Sequence, residues 1–344
     1  MVEPFPVAAF LRSGSFLRRP DGRTILGWGL RRATTPDASV AFYAPDFFLE
    51  DAAPWWIPSA VLTVSENECP PLVGGGPAPE TLSWNEPSRA HFGDAFATVQ
   101  QWFRHEGVAK AVVAAFATSA ASVSEEHRRA SVTAAWRLPN PFLPCGLWHD
   151  GEGFLSATPE LLFEKRGGTL TTMALAATRP SSAATPWTEK ERREHALVAD
   201  DLQTTLAPFG AVHVGMTGER AVGPMTHLHA PVQCTGPALE KLALDDCVRA
   251  LHPTAALGVA PRSFSWTRLR ELDGSIDRRR FGAPFAFRDA EGDAVAVVAI
   301  RSVQWDSQGA MLGSGAGILP ESDREAEWRE LALKRRATCE ALGL

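Results

Sequence analysis

Residues 313–330 read GSGAGILPESDREAEWRE, a glycine-rich run that passes into a charged segment with one tryptophan. Ser322 stands three residues before Glu325, which is the spacing of a capping box, so the pattern predicts a helix that begins directly after a glycine-rich turn. The N-terminus of a helix presents free backbone N–H groups and partial positive charge, which suit a carboxylate or a phosphate. The segment therefore predicts a turn, a helix and a candidate anion site in succession.

Paired carboxylates are the second feature. Glu327 and Glu330 are spaced i,i+3 on the predicted helix, so they share a face, and Lys334 lies one turn beyond. Glu191 and Glu194 repeat this spacing on a second predicted helix. Oxygen ligands presented in this way suit a hard cation such as Mg²⁺, and four converging carboxylates would repel one another without it. The alternative is that both pairs lie on solvated, charge-paired helix surfaces.

The composition limits the class of protein. The chain has 344 residues, of which 45% are hydrophobic and 22% charged, as in a globular protein with one large domain or two ordinary ones. A net charge of −6 and the lack of a basic run argue against a nucleic-acid or anionic-membrane surface. Five scattered cysteines without a CxxC pair indicate reduced thiols and no zinc site. No segment approaches the ~18 apolar residues of a membrane span, so we expect a soluble, cytoplasmic protein.

Hydrophobic periodicity outlines the secondary structure. A Pro-Asp-Gly turn at residues 20–22 between apolar runs predicts a hairpin, whereas residues 71–79, with three glycines in a row, read as a surface loop. Apolar residues at helical spacing predict helices over 88–106 and 188–208. Residues 294–303 read as one apolar strand. Because strands and helices do not alternate strictly, the pattern favours an α+β fold over a doubly wound parallel sheet.

Three charged residues accompany apolar strands. Lys110 lies inside an apolar run, where burial disfavours the charged amine and suits a general base; the alternative is a strand-edge lysine that reaches water. Glu160 precedes another apolar run, where partial burial would raise its pKa and favour a general acid; the alternative is a charged turn residue. Arg301 closes a third strand, where it would bind a carboxylate or form a structural salt bridge.

Nine short blocks of this chain follow one another in a recognisable order. They are Lys110 in its strand, TPE (158–160), LAATR (175–179), KERREH (190–195), HL (227–228), LHPTAALG (251–258), AIR (299–301), GAGI (315–318) and EWRE (327–330). In this order they resemble the chorismate-binding enzymes, a family that includes isochorismate synthase, salicylate synthase and the first components of anthranilate and aminodeoxychorismate synthase. The resemblance extends from Lys110 to the C-terminus.

The resemblance implies a fold and a substrate. Residues 1–344 would form a single domain of α+β class, with two large, mostly antiparallel sheets packed face to face and flanked by helices. Residues 1–87 would be a reduced N-terminal part that adds strands to these sheets, and residues 88–344 would be the catalytic core. The substrate would be chorismate and the cofactor Mg²⁺.

The resemblance also implies roles for individual residues. Lys110 would be the general base that activates water, and Glu160 the acid that protonates the leaving hydroxyl. Glu194 and Glu330 would bind Mg²⁺, while Glu191 and Glu327 would hold metal-bound waters. The substrate would contact Ala177, Thr178, His227, Leu257, Arg301, Gly315, Ala316, Gly317 and Lys334.

Two positions indicate the branch of the family. Members that use ammonia usually carry glutamine where Lys110 stands, so this lysine favours the water-using branch, for which no glutamine amidotransferase subunit is expected. Leu257 resembles the isochorismate synthases, whereas salicylate synthases tend to have a smaller or polar residue there. We therefore expect an isochorismate synthase whose product would feed menaquinone, siderophore or salicylate formation. The alternatives are a salicylate synthase and a degenerate, non-catalytic chorismate-binding protein.

The chain departs from the family pattern in three respects. The segment between residues 179 and 190 is much shorter than usual, and Ala115 replaces the arginine that usually ends the lysine strand. Alanine or valine replaces four usual glycines, at Ala177, Val259, Ala283 and Ala286. An alanine costs roughly 1 kcal/mol where the backbone needs a positive φ. Because the proposed acid, base and metal residues are all present, we interpret these changes as sequence drift or reshaping of the pocket and not as loss of function.

Overall fold

A computed structural model of the chain describes residues 5–36, 40–65, 68, 79–264, 266–274 and 276–344; the predicted loop at 71–79 lies outside these residues apart from Pro79. The helices are α1 (Val7–Arg12), α2 (Arg89–His105), α3 (Glu125–Trp136), α4 (Glu189–Leu206), α5 (Pro237–Glu240), α6 (Leu244–Leu251), α7 (Trp266–Asp273) and α8 (Arg324–Leu342). A 3₁₀ turn, Ala207–Phe209, follows α4. Within the described residues, no helix is long and apolar enough to cross a bilayer.

The strands in chain order are β1 (Ser13–Arg18), β2 (Thr24–Trp28), β3 (Arg31–Ala33), β4 (Ala41–Tyr43), β5 (Trp55–Ile57), β6 (Ala60–Val64), β7 (Lys110–Ser119), β8 (Cys145–His149), β9 (Glu152–Ser156), β10 (Leu161–Arg166), β11 (Thr169–Pro180), β12 (Ala211–Val214), β13 (Gly218–Val222), β14 (Met225–Thr235), β15 (Val259–Ala260), β16 (Pro284–Arg288), β17 (Ala294–Val298), β18 (Ser302–Asp306) and β19 (Gly309–Ile318).

These strands form two sheets. Sheet A has the order β15-β7-β19-β18-β9-β8-β1-β2-β6, and sheet B has the order β12-β14-β11-β10-β17-β16-β4-β5-β3, with β13 paired to β14. Every pairing between these strands is antiparallel. The predicted α+β fold with two antiparallel sheets is therefore confirmed, as is the hairpin around residues 20–22, which joins β1 to β2.

An apolar layer joins the inner faces of the two sheets. Phe154 of sheet A meets Phe285 of sheet B edge-on, with ring centroids 5.2 Å apart, inside a cluster that draws on both sheets. Helices cover the outer faces: α4 and α6 pack on sheet B, whereas α2 and α8 pack on the β7–β19 part of sheet A. The N-terminal strands extend both sheets, since β1, β2 and β6 lie at one edge of sheet A and β3, β4 and β5 at one edge of sheet B.

The predicted capping box at Ser322 is wrong. Helix α8 begins at Arg324 and is capped by Asp323, whose carboxylate accepts a hydrogen bond from the Ala326 amide at 2.8 Å. The Ser322 hydroxyl instead accepts from the Leu319 amide and donates to Glu327 at 2.7 Å. Asp323, next to the serine, accepts from the unpaired amides at the start of the helix as a serine cap would. Sequence spacing alone does not show which of the two residues is the cap.

Two predictions about strands also need correction. The glycine-rich run is not a turn, because residues 313–318 are the second half of β19, paired with β7 along its length. The apolar segment 294–303 is not one strand: β17 ends at Val298 in sheet B, and β18 begins at Ser302 in sheet A. The chain crosses between the sheets through 299–301, where Arg301 has a φ of +52°. This crossing places the arginine at the junction of the two sheets.

Candidate active site

A cavity lies where β7 and β19 of sheet A face β11 and β14 of sheet B. Helices α4 and α8 contribute side chains to its wall, and the connections at 159–160, 256–257 and 300–301 complete it. Most of the predicted site residues line this cavity, namely Lys110, Glu160, Ala177, Thr178, Glu194, His227, Leu257, Arg301, Gly315, Gly317, Glu330 and Lys334. Segments far apart in the sequence thus converge on one place.

Alternation along β19 forms one wall of the cavity from backbone. The odd positions Gly313, Gly315 and Gly317 face the cavity, whereas Ala316 points away and packs with the helices that cover sheet A. A Cβ on Gly317 would lie 2.8 Å from Cε of Lys110 and closer still to a carboxylate oxygen of Glu194. The strand therefore needs glycine here so that these two side chains can approach its backbone.

Three predicted residues do not line the cavity. Ala316 is fully buried on the opposite face of β19. Glu191 caps α4, where its carboxylate accepts from the amide and hydroxyl of Thr188 at 2.6 and 2.7 Å. Glu327 is buried behind the wall, where it accepts from Lys190 at 2.6 Å, and its pKa is raised by burial and by the nearby Glu330. The i,i+3 spacing identified the helix faces but not the local partners of these two glutamates.

Lysines pair with three glutamates at or behind the cavity wall, namely Glu194, Glu327 and Glu330. Lys110, which is 1% exposed, lies 3.2 Å from Glu194 across the α4–β7 gap. Lys334 pairs with Glu330 at 2.6 Å and donates to the Gly315 carbonyl at 2.8 Å. Lysines therefore balance the charge of these carboxylates in the structure, and a bound Mg²⁺ stays a prediction.

The donor chemistry nevertheless fits a hard cation. Glu194 and Glu330 reach the same cavity from α4 and α8, and both supply carboxylate oxygens, the ligands that Mg²⁺ prefers. Within the described residues, no group of three or more acidic, histidine or cysteine side chains is arranged to hold a metal. Two convergent carboxylates match a site in which Mg²⁺ keeps several waters and takes further oxygens from its substrate.

Glu160 has the character of an acid. It lies 5% exposed at the start of β10, and burial raises its pKa to about 7, although Lys110 and Lys334 act in the opposite direction. The predicted elevation of its pKa is borne out by this environment. At neutral pH a substantial fraction of this carboxyl group is protonated, as proton donation to a leaving group requires.

Arg301 is a buried cation with little compensation. Its side chain is 8% exposed, burial lowers its pKa to about 10, and its polar contact is the Met225 sulfur at 3.5 Å. No carboxylate of the described residues pairs with it within 4 Å, so the alternative of a structural salt bridge is not supported. An uncompensated buried guanidinium is costly unless an anion completes the site.

His227 and Thr178 form a polar patch on the wall from sheet B. The Thr178 hydroxyl is 3.0 Å from Nδ1 of His227, and burial lowers the pKa of this histidine to about 3, so the ring is neutral. Nε2 of His227 is buried without a protein partner. Such an atom at a cavity wall is a candidate contact for a polar substrate group.

Of the four residues that replace a usual glycine, Ala177 has a strained backbone. It is the extra residue of a bulge between β11 and β14, and its φ is +57°. Such a bulge position favours glycine, because a Cβ clashes in the left-handed region. Val259, Ala283 and Ala286 adopt no positive φ, so their replacement of glycine adds volume without this strain.

Ala177→Gly should stabilise the fold by about 1 kcal/mol, the cost of placing alanine in the left-handed region. Denaturation in urea measures the change. Ala176→Gly is the matched control, because Ala176 lies next to Ala177 in the same strand and has no positive φ, so this variant should lose about 0.5–1 kcal/mol. Equal destabilisation by both changes would contradict the strain at Ala177.

Sequence reasoning missed the apolar part of the wall. Phe281 and Ile300 line the cavity, together with Val112, Pro159, Leu175, Ala176, Ala256, Gly313 and Ser314. Alternation along β7 could have supplied Val112, because it lies two residues from Lys110 and therefore on the same face. Phe281 lies in an irregular segment before β16, and no local pattern marks it.

A family model described as "Chorismate binding enzyme" matches residues 73–343. The chain belongs to the chorismate binding enzyme family. This member is 34% identical over 201 residues to a salicylate biosynthesis isochorismate synthase of Pseudomonas aeruginosa, covering 55% of this chain and 42% of that protein. It is 30% identical over 207 residues to isochorismate synthase EntC of Escherichia coli, covering 57% and 52%. The matched part spans about half the length of these curated relatives.

Solved structures have the same fold as this family member. A putative 2,3-dihydroxybenzoate-specific isochorismate synthase, DhbC from Bacillus anthracis, superposes with a TM-score of 0.78 at 19% identity and covers 97% of each chain. MenF, the menaquinone-specific isochorismate synthase of Escherichia coli, gives 0.78 at 18% identity and covers 99% of this chain and 92% of its own. At these identities the likeness establishes the fold alone.

Proposed function

We propose that this chorismate binding enzyme is an isochorismate synthase. Water would add at ring C2 of chorismate, the double bonds would shift, and the C4 hydroxyl would leave as water, so the product is an isomer of the substrate. The observation that carries the proposal is the presence of a buried lysine and a buried carboxyl group with a pKa of about 7 in one cavity, at Lys110 and Glu160. The relatives named isochorismate synthase support it.

The two groups divide the proton transfers. Lys110 would take a proton from the attacking water, and Glu160 would give one to the departing hydroxyl. Separate acid and base groups suit this reaction, because one proton is removed and another is delivered at different ring carbons. Water as the nucleophile needs no subunit that supplies ammonia, so we propose that the chain acts without a glutamine amidotransferase. We also propose that it acts in the cytoplasm.

Substrate binding would rest on buried polar groups. Arg301 would pair with a carboxylate of chorismate, which would compensate its buried charge. The unpartnered Nε2 of His227 would contact a second polar group of the ring or its side chain. Leu257, 6% exposed, keeps part of the wall apolar, and the resemblance associates such a residue with a reaction that stops at isochorismate.

Glu194 and Glu330 would hold Mg²⁺, and Glu327 would support it from behind the wall. When bound, the cation would neutralise a substrate carboxylate and so help to bind and orient the ring. Lys110 and Lys334, which pair with these two carboxylates, also line the cavity and would face the substrate. Glu191 has its own role as a helix cap.

Product analysis tests the proposal. Chorismate incubated with the protein and Mg²⁺ should give isochorismate, identified by liquid chromatography against a standard. Salicylate together with pyruvate would identify a salicylate synthase instead. Chorismate binding without turnover would identify a non-catalytic binder, and both of these outcomes would overturn the proposal.

Glu330→Gln should weaken Mg²⁺ binding at least ~100-fold, because even residues that only orient metal ligands contribute about 10–100-fold. Calorimetric titration with Mg²⁺ measures the affinity without relying on turnover, and turnover should fall with it. Glu321→Gln is the control, since this exposed glutamate pairs with Arg193 near the same helices and does not line the cavity. Normal Mg²⁺ affinity in the Glu330 variant would refute the metal assignment.

A further inference from the structure

The short connection from β11 to α4 is closed by three side chains. The guanidinium of Arg179 stacks on Trp187, with its Cζ atom 3.7 Å from the ring centroid. A carboxylate oxygen of Glu219 on β13 accepts from Nε1 of Trp187 at 2.6 Å and from Arg179 at 3.0 Å. Arg179 also donates to the Thr185 carbonyl. We call this group, Arg179 with Trp187 and Glu219, the tryptophan clamp.

The clamp touches two parts of the site wall at once. Trp187 is only 9% exposed and packs against Ala177 and Leu228. Ala177 lines the cavity in its positive-φ conformation. Trp187 also directly precedes Thr188, the cap of α4, and this helix carries Glu194 into the cavity.

A strained residue keeps its conformation only when its surroundings determine it. Glycine would adopt the Ala177 conformation without help, whereas alanine disfavours it. The indole of Trp187 packs against Ala177, and Arg179 and Glu219 both contact the indole. Without the ring, the bulge and the start of α4 would lose their shared support.

We propose that the tryptophan clamp positions the substrate wall at Ala177 and Thr178 together with the start of α4, and that Trp187 is its central positioning residue. The effect on substrate rests on the proposed function, whereas the effect on the backbone does not. The clamp contacts no reacting group, so it should act on substrate affinity far more than on the chemical step.

Trp187→Ala should raise KM for chorismate about 10-fold with kcat changed less than about 3-fold, because displaced binding groups weaken positioning. In an Ala177→Gly background the same change should raise KM only about 2-fold, since coupled residues give non-additive effects. Trp187→Phe keeps an aromatic ring over Ala177 and should restore most of the affinity. Additive effects of Trp187→Ala and Ala177→Gly would overturn the proposal.

Hydrogen exchange measured by mass spectrometry provides a readout that needs no turnover. The amides of residues 177–194 should exchange at least about 10-fold faster in Trp187→Ala than in the unmodified chain, since local opening becomes easier. Trp136→Ala is the control: this partly buried tryptophan at the end of α3 packs in a different apolar cluster from Trp187 and does not line the cavity, so its loss should leave exchange in 177–194 unchanged. Unchanged exchange in Trp187→Ala would refute the clamp. Absence of isochorismate with faster exchange would refute the proposed function and retain the clamp.

Discussion

Lys110→Met should lower turnover of chorismate at least ~100-fold, the lower end of general-base contributions, with little change in chorismate affinity. Methionine has a similar shape and fills the buried site of the lysine stem, so the loss isolates the amine. Steady-state kinetics and calorimetric binding of chorismate separate the two effects. Lys165→Met is the matched control, because this lysine on β10 is also buried, at 5% exposure, and does not line the cavity.

Lys110→Gln extends this test to the choice of nucleophile. Neutral ammonia is a stronger nucleophile than water and attacks without prior deprotonation, so ammonium added at high pH should permit slow formation of an aminated product in this variant. The unmodified enzyme should give predominantly isochorismate under the same conditions. If Lys110→Met retains most of its turnover, another group activates water, and Lys110 no longer supports the assignment to the water-using branch.

Glu160→Gln should also lower kcat/KM at least ~100-fold, because it removes the proton donor to the departing hydroxyl. In the unmodified enzyme the acid must be protonated, so kcat/KM should fall as pH rises through about 7, the pKa of Glu160. The variant should lose the falling limb, whereas Glu164→Gln on the same part of β10, outside the cavity, should keep it.

The stability of the same variant offers an independent check. The pKa of Glu160 is about 7 in the folded protein and near 4.5 when unfolded, so between these values the unfolded chain releases a proton that the folded protein retains. Stability therefore falls as pH rises from about 4.5 to 7 and stays lower above that window. Glutamine removes this penalty, so Glu160→Gln should melt at a higher temperature than the unmodified protein at pH 8 and not at pH 4. An equal melting temperature at pH 8 would contradict the buried position of this carboxyl group.

The sequence predicted which residues meet at the cavity better than it predicted the backbone around them. Lys110 and Glu160 were identifiable because a charge inside an apolar run is locally visible, and the structure places both at one cavity. The glycine run predicts a turn because glycine is depleted in strands. In β19 these glycines are needed because the side chains of Phe281 and Lys110 approach the backbone of the strand closely. That approach depends on residues far away in the chain.

The metal hypothesis shows the same limit. The i,i+3 spacing predicts that Glu191 and Glu327 face the metal together with Glu194 and Glu330, yet neither residue lines the cavity. A glutamate in the first turn of a helix can complete a capping box instead, and a buried glutamate can pair with a lysine. The break at 299–301 was equally hidden, since Val298 and Ser302 belong to strands in different sheets. Periodicity describes one element at a time and carries no information on which sheet receives it.

The bare face of β19 bears on how the enzyme can be redesigned. Gly313, Gly315 and Gly317 present peptide groups to the cavity, and a Cβ at Gly313 or Gly317 would collide with Phe281 or Lys110. Laboratory evolution that randomises these positions should return mostly inactive clones, because each substitution only subtracts space. Changes in substrate range should instead come from Leu257, Phe281 and Ile300, whose side chains can be exchanged for others of different size. We therefore expect two saturation libraries to differ. A library at the three glycines should yield few active variants, and a library at Leu257, Phe281 and Ile300 should yield nearly all of them.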